Sequence, residues 1–418
     1  FHAALVQKSM YDQVDPKVNI YAPEGPDVQD HLNRIEGFND REENPTSWET
    51  EVYTGDDFIE KMLSEKPGNV VVISGNNAKK TEYIYESVNA GLNVLADKPM
   101  VIEPEEFSLL EQAFDVAKEN DVLLYDIMTE RYSITTILQK ELSKIPEVFG
   151  ELKPGTPEEP AITKESVHHF FKYVSGNPLK RPAWFFDVHQ QGEGIVDVTT
   201  HLVDLIQWEA FPEVILGKND IEIVSADRWT TDLTAEQFER VTLLDEYPEY
   251  LVKDVEDGIL KVYSNGAFTY KLKDVYAKVS VIWNYQAPEG AGDTHYSIMR
   301  GTSSNLIIKQ GEEQNYKPTL YVEATSNENL ESFAGGLDKA INQDLANQYP
   351  GLKLHKVDNK TWMVEIPEKY KVGHEAHFAQ VTEKYLRFLA DGEIPEWEVP
   401  NMIVKYYTIA EAMKAATE

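Results

Sequence analysis

The chain has 418 residues, no cysteine, and a formal net charge of −33 that results from 72 acidic and 39 basic side chains. That charge repels phosphate backbones and anionic lipids, so it argues against nucleic-acid or membrane-surface partners and favours a neutral or cationic small molecule. The lack of cysteine excludes disulfides, thiolate zinc sites and cysteine nucleophiles, and no run approaches the roughly 18 to 20 apolar residues that span a bilayer.

Residues 1–135 read as alternating strands and helices. Short apolar runs rich in β-branched residues predict four strands, at 17–22, 69–74, 93–96 and 121–128. Helical segments lie between them, at 56–65, 78–91 and 104–120. Gly91 follows one of these where a helix C-cap favours a left-handed residue. This alternation predicts an α/β domain with a Rossmann-like, doubly wound parallel sheet.

The start of this domain lacks the usual signature of a dinucleotide-binding fold. That fold begins with a strand and a Gly-rich turn, whereas residues 1–13, FHAALVQKSMYDQ, already read as a helix. The missing strand would be central to the sheet, and the sequence begins at Phe1 without a methionine. We therefore expect the first strand to lie upstream of Phe1.

From residue 136 onward the pattern is that of a mainly antiparallel sheet with closing helices. A proline-rich connection at 153–162 precedes several β-rich segments, and SNG at 264–266 predicts a hairpin between two of them. Amphipathic helices return after residue 374. We predict two domains, 1–135 and 136–418, the second of α+β class with a large open sheet. We also expect a homo-oligomer formed through that sheet.

The segment GEGIVDVTTHLVDLIQW, residues 192–208, places a row of polar and aromatic side chains on one side of a helix. Asp197, His201, Asp204 and Trp208 recur at spacings of four, three and four, which puts them on one narrow stripe. Apolar residues fill the opposite arc. Such a row faces either water or a substrate.

Lys98 follows a predicted parallel strand directly, in the stretch AGLNVLADKPM at 90–100. In open α/β sheets, ligands bind just beyond the carboxyl ends of the strands. Pro99 cannot extend the ladder, so the chain turns there and leaves Lys98 at the mouth of the predicted cleft. Taken alone, a solvated loop lysine would be the simpler interpretation.

Together, ADKPM and the 192–208 segment resemble the glucose-fructose oxidoreductase / inositol dehydrogenase (Gfo/Idh/MocA) family, which is marked by a Glu-Lys-Pro turn and a Gly-Gly-Gly…Asp…His…Asp helix. MTERYS at 128–133 resembles the family's strand-end Arg-aromatic pair, and RPAWFFDVHQQGEG at 181–194 resembles its Trp-x-x-Asp segment before the glycine turn. The longer C-terminal part resembles an often exported branch with a putative oxidoreductase C-terminal domain.

The chain departs from the family pattern at several positions. Asp97 stands where the family has Glu, and Glu193 replaces the middle glycine. The loop ISGNNAKK at 73–80 replaces a Thr-Pro-Asn…His loop, so Asn76 or Asn77 is kept and the histidine is lost. Because no Gly-rich phosphate turn is seen, cofactor binding rests on the resemblance.

The resemblance implies an NAD(P)-dependent enzyme that transfers a hydride between a nicotinamide and a sugar, glycoside or cyclitol hydroxyl. Because the hydroxyl proton must leave as the hydride departs, a base is needed within hydrogen-bond reach, and His201 is the natural candidate. Asp197 would orient the imidazole or hold a neighbouring hydroxyl. Lys98 would supply positive charge where alkoxide character develops. These three form the implied catalytic group.

The resemblance also implies binding residues for a cofactor, NAD or NADP, and for a substrate. The implied cofactor residues are Glu24, Asn76, Asn77, Asp97, Lys98, Pro99 and Arg131. Glu24 would hold the adenosine ribose. Arg181 and Trp184 would contact the sugar by hydrogen bonds and ring stacking, beside Asp197 and His201. His374 and His377 have no third ligand at helical spacing, so no metal site is expected.

Two alternatives stay open. A glycosidase-like enzyme with a retained NAD would oxidise a sugar transiently without net redox change, and a non-catalytic carbohydrate-binding protein would keep only the scaffold. The survival of Lys98, Asp197 and His201 argues against the second alternative. The sequence does not distinguish which sugar is used, NAD from NADP, or the compartment, although resemblance to an often exported branch favours export.

Overall fold

The structure is a computed structural model that describes residues 1–174 and 176–418. The chain divides into two compact units. The first unit comprises Phe1–Thr129 and Gly373–Val399, and the second comprises Glu130–Val372 and Pro400–Glu418.

The first part of the chain alternates strands and helices, as predicted. Its strands are β1 (Lys17–Tyr21), β2 (Glu49–Tyr53), β3 (Val70–Ile73), β4 (Asn93–Asp97) and β5 (Leu124–Ile127). Its helices are α1 (His2–Met10), α2 (Pro26–Asn39), α3 (Phe58–Glu65), α4 (Lys80–Asn89) and α5 (Phe107–Glu119).

The strands of the first unit form two parallel sheets. Strands β1 and β2 pair with each other, and β3, β4 and β5 form a sheet in that order. Val94, Leu95 and Ala96 of the middle strand β4 are fully buried, as expected for a strand that is covered on both faces. The predicted Rossmann-like α/β class is confirmed.

The rest of the chain forms a second set of elements. Its strands are β6 (Ile162–Phe171), β7 (Tyr173–Val174), β8 (Asn177–Pro178), β9 (Ile221–Thr234), β10 (Val255–Glu256), β11 (Ile259–Leu272), β12 (Val275–Gln286), β13 (Thr294–Arg300), β14 (Ser304–Gln310), β15 (Thr319–Ala324), β16 (Lys353–Lys356) and β17 (Thr361–Glu365). Its helices are α6 (Ile134–Ser143), α7 (Pro146–Phe149), α8 (Val188–Gln191), α9 (Thr199–Ala210), α10 (Ala235–Thr242), α11 (Leu330–Lys339), α12 (His374–Asp391) and α13 (Glu398–Thr417). Helix α12 belongs to the first unit. Over the described ranges, no helix has both the length and the apolar character needed to cross a membrane.

One large open sheet dominates the second unit. It has ten strands, of which nine follow the order β10-β11-β12-β6-β13-β14-β15-β17-β16 and the tenth, β9, pairs with β11. Every pair is antiparallel except β12 with β6. Helix α9 packs on β6 and β12 through its apolar side, which includes the buried residues Leu202, Val203 and Ile206. The predicted mainly antiparallel open sheet is confirmed.

The hairpin predicted at 264–266 is wrong, because β11 runs straight through SNG. The chain turns at Lys273 instead, where the backbone is left-handed (φ 53°), and Leu272 then pairs with Val275. Gly266 of SNG lies instead in close contact with Ile195, in the segment before α9.

Candidate active site

In the first unit, the carboxylate that ends β4 is buried and held by polar contacts. Asp97 Oδ2 lies 2.7 Å from His2 Nδ1 and accepts a hydrogen bond from Ser74 Oγ at 3.2 Å. Burial alone would raise the pKa of this carboxyl. His2, Lys80 and Lys98 outweigh burial and lower the pKa well below its usual range. The Asp that replaces the family's Glu is therefore a charged carboxylate beside Lys98.

The backbone on both sides of Lys98 is fixed by the first turn of α4. Lys80 Nζ donates to the carbonyl oxygen of Asp97 at 2.9 Å, and Thr81 Oγ1 donates to that of Met100 at 2.9 Å. Both donors are buried. The half-buried Lys98 is thus held at the carboxyl end of a parallel strand, where ligands bind in sheets of this class.

The other cofactor candidates of this unit also follow strands. Pro99 is buried, and the peptide bond before it is cis. Asn76 and Asn77 lie in the loop after β3. Ser74 of that loop donates to Asp97 Oδ2, so the loop adjoins the lysine turn, residues 97–99. Glu24 is exposed in the loop between β1 and α2, and β1 belongs to the separate two-stranded sheet. Their contacts with a cofactor stay predictions.

In the second unit, the segment before α9 crosses β11 at backbone contact. A Cβ on Gly194 would lie 1.8 Å from the carbonyl oxygen of Ser264, and a Cβ on Gly266 would lie 2.4 Å from the Cβ of Ile195. Neither position accepts a side chain without displacing its neighbour. Strand β11 therefore fixes the turn that leads to Asp197, and this contact explains the glycine in SNG.

Glu193, which replaces the middle glycine of the family's turn, has its own counter-charge. Its carboxylate is buried and pairs with Arg228 Nη1 at 2.5 Å. The Arg228 guanidinium also lies 4.2 Å from the ring centroid of Tyr263. The departure from the family pattern is thus accommodated by an ion pair with β9.

Helix α9 begins at Thr199, later than predicted, so Asp197 lies in the turn before it. The amide of Asp197 donates to the carbonyl of Glu193 at 2.9 Å. Its carboxylate is buried and accepts a hydrogen bond from Gln191 Nε2 at 3.0 Å. His201 is half-buried in the first turn of α9. The predicted carboxylate and imidazole therefore stand together at the start of one helix.

The rest of the predicted row serves another purpose. Asp204 is 2% exposed and binds Arg131 through two hydrogen bonds of 2.6 and 2.7 Å and Lys405 through one of 3.0 Å. Trp208 packs against Lys140, whose Nζ lies 3.6 Å from the ring centroid. The expectation that the row faces either water or a substrate is wrong for Asp204, because two cations enclose it in the interior. The predicted cofactor contact of Arg131 stays a prediction.

Arg181 and Trp184, the predicted substrate residues, lie in the connection after β6. The Arg181 guanidinium donates to the carbonyls of Phe170 (3.1 Å) and His169 (3.2 Å) and lies 4.9 Å from the ring centroid of Trp283. Burial lowers the pKa of Arg181 to about 10, so it stays charged at neutral pH. Trp184 is half-buried in a short 3-10 helix. Their substrate contacts stay predictions.

Sequence reasoning missed two partners of these residues. His2 is 95 positions from Asp97, and no spacing rule links the two. Gln191 directly precedes the glycine turn, and a polar side chain next to a candidate catalytic segment is a signal that could have found it. Over residues 1–174 and 176–418, no group of three His, Asp or Glu side chains is arranged to hold a metal ion.

Comparison with known proteins places the chain in a family. Residues 138–417 match the family described as putative oxidoreductase C-terminal domain. A crystal structure of an oxidoreductase, described as putative, from Parabacteroides merdae ATCC 43184 shares 58% identity and a TM-score of 0.98, and the match covers 100% of this chain and 95% of that one. No functionally curated protein matches the sequence.

More distant structures share the fold. Levoglucosan dehydrogenase in complex with NADH and L-sorbose is 13% identical with a TM-score of 0.61, over 100% of this chain and 93% of that one. KijD10, a 3-ketoreductase from Actinomadura kijaniata in complex with NADP, is 14% identical with a TM-score of 0.57, over 99% and 93%. The family predicted from the sequence is confirmed. The chain belongs to the family with the putative oxidoreductase C-terminal domain, and its fold is that of the Gfo/Idh/MocA-like dehydrogenases.

Proposed function

We propose that the protein is an NAD(P)-dependent oxidoreductase that transfers a hydride between a nicotinamide cofactor and a hydroxyl of a sugar, glycoside or cyclitol. The observation that carries this proposal is the Asp197–His201 pair, which stands at the start of α9 after a turn held by β11. The fold shared with levoglucosan dehydrogenase, bound to NADH and L-sorbose, and with KijD10, bound to NADP, supports it.

In this proposal three side chains serve one reaction. His201 accepts the proton of the substrate hydroxyl, which requires an approach of about 2.6–3.2 Å. Asp197 binds the imidazole or a neighbouring hydroxyl and so orients the reacting group. The Lys98 ammonium stabilises the negative charge that develops on the substrate oxygen.

The donor set of the first unit fits a dinucleotide. Glu24 is an exposed carboxylate after a parallel strand, which suits ribose hydroxyls, and the loop with Asn76 and Asn77 offers amides next to the lysine turn. Asp97 and Pro99 shape that turn. When bound, the nicotinamide supplies or accepts the hydride.

The test is calorimetry of the purified protein with NADH and NADPH, followed by thermal shift with neutral sugars and with sugar acids. We expect one nucleotide to bind, and neutral sugars to raise the melting temperature in its presence. No affinity for either nucleotide at millimolar concentration contradicts the proposal and favours a non-catalytic carbohydrate-binding protein.

The NAD-retaining alternative has a different signature. The purified protein would already show nicotinamide absorbance and fluorescence, and it would cleave a glycoside with no net change in the NADH content. An enzyme of the proposed kind instead changes the NADH content in step with the sugar consumed.

A further inference from the structure

A histidine and a tryptophan stack at the carboxyl end of β6, on the large sheet. His168 and Trp283 pair in register between the parallel strands β6 and β12. Their rings stack with centroids 4.8 Å apart and an interplanar angle of 28°. Trp283 also stacks on Phe170, with centroids 5.2 Å apart. The His168 ring is therefore held in one plane by its neighbours.

Asp293 fixes the orientation of the His168 ring through a contact with Nδ1. Its carboxylate lies 3.3 Å from His168 Nδ1 and 3.0 Å from His169 Nδ1, and Lys172 Nζ donates to it as well. Burial alone would raise the pKa of Asp293, but hydrogen bonds from His168 and Lys172 lower it below its usual range. In the neutral imidazole, a carboxylate on Nδ1 selects the tautomer that leaves Nε2 as an acceptor.

The other nitrogen of the ring, Nε2, lacks a hydrogen bond in the part of the chain that the structure describes. His168 Nε2 is buried, and no hydrogen-bond partner for it is found among residues 1–174 and 176–418. Buried polar atoms in folded proteins are almost always hydrogen-bonded, so an acceptor in this state calls for an explanation. A ligand hydroxyl that donates to Nε2 would satisfy it.

Trp283 connects this histidine to the candidate active site. Its backbone N donates to Asn265 Oδ1 on β11 at 2.7 Å. Gly266, the next residue of that strand, contacts Ile195 in the turn that leads to Asp197. The ring on which the histidine stacks is therefore hydrogen-bonded, through its own backbone, to the strand that holds the turn before α9.

We propose that His168 is a specificity-determining residue of the site, and that its Nε2 accepts a hydrogen bond from a non-reacting hydroxyl of a neutral, polyhydroxylated ring. Asp293 and Trp283 are its positioning residues. This inference rests on the proposed function and adds the residue that selects the substrate.

The local charges favour a neutral ligand over an anionic one. Lys172 and Arg181 contribute two positive charges, and Asp293 and Asp197 contribute two negative ones. These four charges balance, so the surroundings of His168 hold no excess cation for a carboxylate or phosphate group on the substrate. An anionic group placed beside His168 would therefore lose its hydration without a counter-charge.

The experiment compares His168→Phe with His169→Phe. The first variant keeps the stack on Trp283 and removes Nε2. The second removes the neighbouring contact with Asp293 and leaves Nε2 in place. Binding of levoglucosan, L-sorbose, myo-inositol and gluconate is measured by calorimetry in the presence of saturating NADH, and melting temperatures are recorded for each protein.

We expect His168→Phe to lower the affinity for the best-binding neutral sugar by about tenfold or more, which is the effect of one well-placed hydrogen bond. NADH affinity should not change, and His169→Phe should lose less than about threefold. Parental sugar affinity in a folded His168→Phe protein overturns the inference. Tighter binding of gluconate than of neutral sugars overturns the assigned substrate class.

Failure of the proposed function looks different, because the parent protein itself would then show no affinity for NADH or NADPH, whatever its affinity for the four probes. If His168→Phe does not fold, ¹⁵N NMR of the histidine-labelled parent replaces it. His168→Gln identifies the Nε2 resonance, which should shift when the sugar is added. An unchanged Nε2 resonance at sugar saturation overturns the inference.

Discussion

The start and the end of α9 carry similar side chains and use them differently. At the start, the Asp197 carboxylate accepts a hydrogen bond from the neutral amide of Gln191, next to a half-buried histidine. Two turns later, Asp204 lies between Arg131 and Lys405. A polar row on a helix is therefore weak evidence for a ligand. The charges that surround each carboxylate separate a candidate site from scaffold.

The scaffold end of the helix is a network of buried ions. Lys164 of β6 and Glu209 of α9 form a second ion pair at 2.8 Å with no solvent exposure. Buried charges are tolerated when they are paired and hydrogen-bonded, and removal of one partner leaves the other desolvated. These pairs fix how α9 lies on the sheet, and thereby where its first turn begins.

The largest effects should come from the candidate catalytic residues. His201→Asn and Lys98→Met should each lower turnover by about two to four orders of magnitude, the usual effect of a positioned base or electrostatic group. Both residues are only half-buried, so the melting temperature should stay near that of the parent. Steady-state kinetics with the best sugar from the binding panel provide the measurement.

The pH profile gives the matching control for this prediction. His201→Asn should remove the limb of the kcat/KM profile that reports the catalytic base, whereas Lys98→Met should keep it. If both variants turn substrate over at the parental rate, the start of α9 faces water and the comparison between its two ends fails.

Asp204→Asn should produce the largest loss of stability and a smaller effect on chemistry. The substitution leaves Arg131 and Lys405 buried around a neutral amide, which should lower the free energy of unfolding by about 3–5 kcal/mol. Urea denaturation measures this loss. Asp232→Asn, in an exposed pair with Lys261, is the matched control and should change little.

The same substitution predicts a change in acid stability. Burial would raise the pKa of Asp204, but Arg131 and Lys405 lower it below its unfolded value of about 4. The stabilisation is therefore complete above about pH 4 and is lost as the pH falls through the lower, folded-state pKa. Asp204→Asn should lack this acid-dependent loss. An equal acid dependence in parent and variant would show that Asp204 is not held as described.

Local patterns in the sequence predict much of this fold, and long-range contacts decide the rest. Four of the five strands before residue 130 follow from short apolar runs, which are a local property, whereas the mostly exposed β2 (Glu49–Tyr53) was not predicted. The partners of Asp204 are 73 and 201 positions away, so no window of sequence reveals that its charge is neutralised. The candidate site was predictable where residue types cluster locally, at Lys98 and at Asp197 with His201.

The two wrong local predictions have one physical cause. The helix was expected to include Asp197, and SNG was expected to turn the chain. In the structure, Gly194 and Gly266 lie where the segment before α9 touches β11, and a Cβ at either would clash. A glycine required by close backbone approach looks the same in sequence as a glycine required by a turn.

Asp197→Asn should have a moderate effect that falls on affinity. The amide keeps the shape and can still accept a hydrogen bond from Gln191, but it binds a substrate hydroxyl or an imidazole less strongly than a carboxylate does. We expect KM to rise about tenfold and kcat to fall less than in His201→Asn. If kcat falls as far as in His201→Asn while KM is unchanged, Asp197 takes part in the proton transfer itself.

The smallest effect on turnover should come from Lys140→Met, at the scaffold end of the row. The substitution keeps the side-chain stem against Trp208 and removes a charge that lies 3.6 Å from the ring centroid. A cation–π contact at a partly exposed site contributes about 0.5–1 kcal/mol, and burial of the ammonium opposes that gain. Because burial makes the charged ammonium unfavourable in the folded protein, Lys140→Met should raise the free energy of unfolding at pH 7 by about 1–3 kcal/mol, after allowance for solvent screening, and leave turnover unchanged.

The pH dependence of the free energy of unfolding provides a second test of the Lys140→Met prediction. Burial lowers the pKa of Lys140 to about 8, whereas the unfolded value is about 10.4. Because the charged form is disfavoured in the folded state, the parent should gain stability as the pH rises from about 8 to about 10.4, and Lys140→Met should lack this gain. Urea denaturation of both proteins across that range measures the difference. A fall in turnover like that of His201→Asn would mean that the row faces substrate as far as Trp208, and the distinction between the two ends of α9 would be lost.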